Sequence, residues 1–231
     1  MDLDLNNAHL PDPFSGIVRL FPLPNLVVYP GIVQALHMFE PRYRKLTEDC
    51  LDSDELIAIG VFGSESDAGN EDSDADLRPV TCICKVVAHE RLEDGRFNLV
   101  VVGIKRARIR RELAVEQPYR MVEVEIVEDD FGEPEDNLDT VRKELIELCE
   151  SNDLLGKITE HSDIKKIIDK DLSLGLLVDL ISFTGDLDCD QKQKILELAN
   201  VRSRCEKLIE YLKMVDSTSD SNEFPPRFSA N

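Results

Sequence analysis

The residues of this chain whose types and spacing could do chemistry are a few cysteines, histidines and arginines. Cys82-x-Cys84 is the sharpest metal suggestion. On a strand both thiols would face one side, because side chains alternate. A structural zinc site usually takes four ligands at loop-like spacings. Two buried thiols are therefore the plainer expectation. His37 and Glu40 form a lone His-x-x-Glu, and His89 and His161 have no evident partners. A phosphate-cradling loop needs glycines followed by Gly-Lys-Ser/Thr. Gly156-Lys157-Ile158 lacks both the upstream glycine and the hydroxyl. No Gly-x-Ser-x-Gly nucleophile elbow occurs. Carboxylates are so numerous that no pair stands out as a general acid and base. The expectation is no catalytic residue, no metal and no cofactor.

One basic cluster remains, Lys105-Arg106-Ala107-Arg108-Ile109-Arg110-Arg111. On a strand, Arg106, Arg108 and Arg110 would project from one face as a stripe for phosphate or acidic peptide. The alternative is a solvated strand face paired with nearby acids. The net charge of -20, from 47 acids against 27 bases, argues against general nucleic-acid binding. It also argues against docking on anionic lipid. Met1 is followed by Asp2 and Asp4, unlike the basic opening of a signal peptide. No run of about 18 apolar residues could span a bilayer. The six cysteines are scattered through the chain. Reduced thiols and a cytoplasmic location are expected.

These residues must be held by two kinds of element. Residues 1–15 read as a flexible arm. Residues 16–130 have strand-like patterning. Ile17 to Phe21 is one apolar run, and Leu26 to Tyr29 another that stops at Pro30-Gly31. Proline presets φ and glycine accepts positive φ, which suits a type II turn. Ile32 to Phe39 reads as a strand. Pro41 opens a short helix with Tyr43, Leu46, Cys50 and Leu51 on one face. Leu56 to Phe62 is a buried strand. Residues 63–79 form an acidic loop with six acids and one base. Val80 to Arg91, Arg96 to Ile104 (extending toward Arg111) and Arg120 to Val127 are further strands. Asp94-Gly95 turns the hairpin. From Leu138 the period becomes helical, so residues 131–215 read as a helical bundle. The tail 216–231 is Ser/Asp-rich and reads as disordered. The class is α+β, a mostly antiparallel sheet curled into a barrel or sandwich and then helices.

Three segments carry a resemblance. They are Leu20-Phe21-Pro22-Leu23-Pro24, Val28-Tyr29-Pro30-Gly31 and Leu36-His37-Met38-Phe39-Glu40-Pro41-Arg42-Tyr43. Together they resemble the opening of the Lon protease N-terminal domain family, most of all bacterial proteins consisting of this domain alone. Asp94 to Leu99, Gly103-x-x-Arg106, Gly175 to Leu180 and Gln191 to Glu197 continue it, over roughly residues 17–214. The resemblance implies a β-rich, PUA-like pseudo-barrel followed by a helical bundle. It implies a non-catalytic module that recognises polypeptide or unfolded protein, with a Lon-type protease as a further partner. The ATPase and serine-lysine protease modules of full-length relatives would begin beyond this chain.

Phe21, Pro22, Pro30, Gly31, Phe39, Glu40, Arg42 and Tyr43 are the family-motif residues. The expectation is that Phe39 and Tyr43 anchor the short helix and that Glu40 pairs with Arg42 or Arg44. A peptide site is expected on apolar surface between barrel and bundle. The rival reading is a PUA-like nucleic-acid binder using Arg106, Arg108 and Arg110. A third is a small hydrolase whose site no motif reveals.

Overall fold

A computed structural model describes residues 8–63, 76–133, 138–151 and 172–219 of the chain. Gly156-Lys157, His161 and most of the acidic loop lie outside these residues. Among them, six strands and five helices follow one another. The order is β1 (Ile17–Leu23), β2 (Val33–Met38), α1 (Pro41–Leu51), β3 (Leu56–Val61), β4 (Val80–Arg91), β5 (Phe97–Leu113) and β6 (Met121–Val127). The helices α2 (Leu138–Ser151), α3 (Leu174–Thr184), α4 (Cys189–Leu196) and α5 (Val201–Ser219) complete it.

The sheet order is β2-β5-β4-β3-β1-β6, and β6 also pairs with β5. That extra pairing closes a ring, β5-β4-β3-β1-β6. Closure rests on the length of β5. Its first half, Phe97 to Val102, pairs with β2, and its second half, Arg106 to Leu113, pairs with β6. The barrel is therefore shut at the β6 end and split at the β2 end. All ladders are antiparallel except β1 with β3, which is parallel. The sequence period could not distinguish that one pair.

Alternation divides the apolar residues between two faces. Val18, Leu20, Leu56, Ala58, Ile83, Ala107, Val122 and Val124 fill the barrel. Leu10 and Phe14 pack against this cluster, so the N-terminal arm is anchored over its described part. Ile57, Ile59, Cys82, Cys84 and Val86 face outward into a second, larger core. That core continues through α1 and into Leu145, Leu177, Val178, Val201, Cys205 and Leu208 of the bundle. The β-rich half and the bundle thus share one core and stabilise each other.

Leu26 to Tyr29, an apolar run within the strand-like stretch, joins no ladder. It crosses between barrel and bundle, burying Val27, Val28 and Tyr29. The Tyr29 hydroxyl donates to the Lys192 carbonyl at 2.7 Å. Pro30-Gly31 forms the expected turn. Gly31 sits at φ 80°, and the Ile32 N–H donates to the Tyr29 carbonyl at 3.2 Å. Gly31 N–H donates to the Gly103 carbonyl at 2.8 Å, and Gly103 N–H to the Ile32 carbonyl at 2.9 Å. This is a β-bulge led by a positive-φ glycine, which fixes the register of β2. An added Cβ at Gly31 would also lie 2.5 Å from Leu176 Cδ1. Gly31→Ala should lower stability by about 1–2 kcal/mol, read as a shift in the urea midpoint.

The acidic loop is narrower than its sequence suggests. Its stalk continues the sheet, with Phe62 bridging Leu77 and Arg78 N–H donating to the Val61 carbonyl. At the other end of the chain, α5 runs to Ser219, past the Asp216 expected to open a disordered tail. No helix of the described residues is long and apolar enough to cross a membrane.

Candidate functional site

The split in the barrel opens a groove of about 410 Å3 between β1, β2 and the start of α1. Phe21 and Pro22 form one wall, Ala35 to His37 the other, and Tyr43 lies between. Each wall has a sequence cause. Pro22 has no N–H, and β6 pairs with β1 only at Ile17 to Arg19. The wall from Phe21 to Leu23 therefore keeps one unpaired edge. Glu40 is the N-cap of α1 in extended conformation, and Pro41 occupies the first turn. The chain thus turns sharply out of β2 and brings Tyr43 back over β1. The rings of Phe21 and Tyr43 meet edge to face, with centroids 4.6 Å apart.

Arg42 closes one end. Its Nε and Nη2 donate to Glu40 Oε2 at 2.9 and 2.8 Å. Its guanidinium carbon lies 5.0 Å from the Tyr43 centroid. Burial raises the Tyr43 hydroxyl pKa, with nearby Arg42 pulling it back. His37 stands at the rim. Its Nδ1 is 2.8 Å from Asn98 Oδ1, and the Arg96 guanidinium approaches its Nε2 at 3.2 Å.

Five of the family-motif residues, Phe21, Pro22, Glu40, Arg42 and Tyr43, therefore line or close this groove, and Phe39 joins them. Tyr43 anchors α1 as expected, and the Glu40–Arg42 pair forms. Phe39 does not anchor. It is 60% exposed, stacked on His37 at 6.1 Å. A residue preceding the N-cap is pinned by an apolar partner at the fourth helical position. Here that position is Arg44, so the Phe39 ring stays at the surface. Pro30 and Gly31 lie elsewhere, in the turn that sets β2.

The three arginines do not form one exposed stripe. Arg106 is 2% exposed, whereas Arg108 and Arg110 are exposed. Arg110 pairs with Glu125, Arg111 with Glu123 and Lys105 with Glu128, as on a solvated face. Arg106 instead enters a buried charge cluster between barrel and bundle. Its guanidinium bonds Asp179 of α3 and, at 3.2 Å, Asp129 after β6. Arg204 of α5 completes the cluster. Its Nη1 and Nη2 reach the two Asp129 oxygens at 2.9 Å each, and its Nη1 also donates to the Leu198 carbonyl at 3.0 Å. Burial alone would lower the Arg204 pKa, but the Asp129 hydrogen bonds and the Asp179 charge hold it above its ordinary value. Burial pushes Asp129 upward, yet the Arg204 bonds and the Arg106 charge leave its carboxyl net below the usual value. Two cations and two anions thus lock the halves at the place where a peptide site was expected. One signal was readable in the sequence: Asp179 is the sole charge in the apolar helix Leu174–Thr184.

Cys82 and Cys84 both face the large core, and burial pushes the Cys84 thiol well up. Among the described residues, no three His, Cys, Asp or Glu side chains are grouped to hold a metal ion.

A split barrel closed by one long strand, welded to a helical bundle through a shared core and a buried charge cluster, defines the class. The model for the ATP-dependent protease La (LON) substrate-binding domain matches residues 17–214, and the chain belongs to that family. It is 29% identical to a Lon protease of Anaeromyxobacter dehalogenans over 208 residues, which is 87% of this chain and 23% of that protein. It is 27% identical over 203 residues to Lon protease 2 of Myxococcus xanthus, again 23% of that protein. The chain thus spans about a quarter of the length of these relatives. Its fold matches the N-terminal domain of a Mycobacterium avium complex Lon protease. The TM-score is 0.66 at 20% identity, covering 85% of this chain and 98% of the other. A Lon N-terminal domain protein from Xanthomonas campestris matches at TM-score 0.57 and 19% identity, covering 84% and 98%.

Proposed function

We propose that this domain captures apolar segments of non-native polypeptide in the groove beside β2, as a recognition module without chemistry of its own. The observation that carries this reading is Phe39. A large ring exposed at the mouth of an aromatic-lined groove is an anchor awaiting a partner. Membership in a substrate-binding family supports it. So does the fixed framing of the groove, because the Phe21–Tyr43 contact and the Arg42–Glu40 fork preorganise it. A Lon-type protease, or substrates on their way to one, is the partner class that this family relationship suggests.

The test is titration of the full chain with a reduced, carbamidomethylated model protein, followed by fluorescence anisotropy. Phe39→Ser should weaken binding by about tenfold, the loss of one anchor. The melting temperature should not move, because the ring is exposed. Unchanged affinity in this variant would remove the groove from the recognition surface.

A further inference from the structure

We infer that the ligand is held as an added β-strand on the free edge of β2, and that it is an extended apolar segment flanked by basic residues. This rests on the groove being the peptide site.

Backbone geometry is the first argument. Strand β2 pairs on one side with β5 and ends the sheet on the other. The Ile32 carbonyl points to β5, where it accepts from Gly103. In an antiparallel ladder the direction alternates with each residue. Gln34, Leu36 and Met38 therefore face β5, and the N–H and C=O groups of Val33, Ala35 and His37 face outward. Gln34 agrees with this phase, since its Nε2 donates to the Ala35 carbonyl at 2.6 Å. An open strand edge is a template for another extended chain.

The shape of both flanks is the second argument. An added strand sends alternate side chains to opposite faces. One set would enter the 410 Å3 groove, against Phe21 and Tyr43. The other would lie toward a shallow depression of about 300 Å3 lined by Ala35, His37, Asn98 and Val100. Val33, 46% exposed, and Phe39 offer apolar contact at either end of the edge.

Charge selects the ends of the ligand. The protein carries -20, and Glu90 lines the depression. A field of that sign draws cationic segments and repels acidic ones.

The test uses a short peptide alternating valine and threonine around a central phenylalanine, with two lysines at each end. Two further versions carry N-methyl groups on one or the other alternate set of backbone amides. Strand addition predicts that one methylated set binds at least tenfold more weakly, while the other binds like the parent. Ala35→Pro should weaken the parent peptide by a similar factor. It deletes an outward N–H without touching the β5 ladder, a placement proline tolerates at an edge. On peptide addition, amide exchange at Val33 and Ala35 of the unaltered protein should slow; this reading does not depend on the variant folding. If both methylated sets bind like the parent, or both fail, and exchange at Val33 and Ala35 stays unchanged, strand addition is wrong and the groove reading survives. If the parent peptide and the unfolded model protein both fail to bind, the groove reading falls, and this inference with it. A glutamate-flanked peptide binding as well as the lysine-flanked one would overturn the charge preference.

Discussion

Arg204→Met is expected to lower the stability of the protein by about 3–5 kcal/mol at neutral pH, the usual range when one partner of a buried ion cluster is removed. Arg204 is fully buried. Its fork holds both oxygens of Asp129, and its Nε lies 3.4 Å from Asp179. Methionine fills much of the volume but leaves Arg106, among the described residues, as the one cation still bonded to the two carboxylates. It also leaves the Leu198 carbonyl without its donor. Arg204→Lys should recover little of this, because an ammonium cannot span the two Asp129 oxygens. Urea unfolding of the three proteins decides the matter. A loss below about 1 kcal/mol would mean that the cluster behaves like a surface pair and does not hold barrel and bundle together.

The same cluster has an acid limit. The Asp129 carboxyl titrates below its ordinary value of 3.8 in the folded protein. A depressed carboxylate pKa contributes stability that is present above the unfolded value and lost as pH falls through the folded one. The Asp129 contribution should therefore be lost as the pH is taken below about 4, whereas Asp179, whose carboxyl burial pushes upward, acts in the opposite sense. Asp129→Asn should start less stable at pH 7 and show a shallower loss over that acid range. Parallel acid limbs in the two stability profiles would detach Asp129 from the effect.

Much of the fold was legible in the sequence, because local chemistry and long-range packing agree there. Val80 to Arg91 was bounded by the loop before it and the Asp94-Gly95 turn after it, and β4 has those bounds. Pro30-Gly31 announced its turn by φ preference alone. The candidate site was half legible. Its aromatic and proline residues form a motif, but a groove is made by what does not pair, and no single strand records that. The arginines show the limit most clearly. Arg106 and Arg108 sit two apart, so alternation gives them one face. The helices cover that face at Arg106 and no longer at Arg108, a difference set by α3 and α5 more than 70 residues away in sequence. Leu26 to Tyr29, an apolar run within the strand-like stretch, stays outside the sheet for a related reason. Its apolar run is needed to fill the seam between halves, and burial without a ladder has no sequence period of its own.

Gly103→Ala should be the most damaging glycine-to-alanine change among the described residues. A Cβ there would stand 2.1 Å from the Tyr29 carbonyl oxygen, 2.8 Å from its carbon and 3.0 Å from Cys82 Sγ. Relief by movement is blocked on every side. The Gly103 backbone is tied by its N–H to Ile32 and by its carbonyl to Gly31. Tyr29 is held through its hydroxyl to Lys192 on α4, and Cys82 lies in the ladder with Arg106. Overpacking a site that can relax costs about 1–3 kcal/mol, so a loss of 3 kcal/mol or more is expected where the neighbour is backbone. The consequence extends beyond stability. The Gly31–Gly103–Ile32 bulge sets which amides of β2 face outward, so pushing Gly103 away from Tyr29 also shifts the edge on which a ligand strand would pair. Whatever Gly103→Ala protein folds should therefore bind peptide more weakly than its residual stability explains. Urea unfolding and peptide titration on the same preparation separate the two effects. A variant with an unchanged urea midpoint would show that the bulge tolerates a side chain and that β2 takes its register from elsewhere.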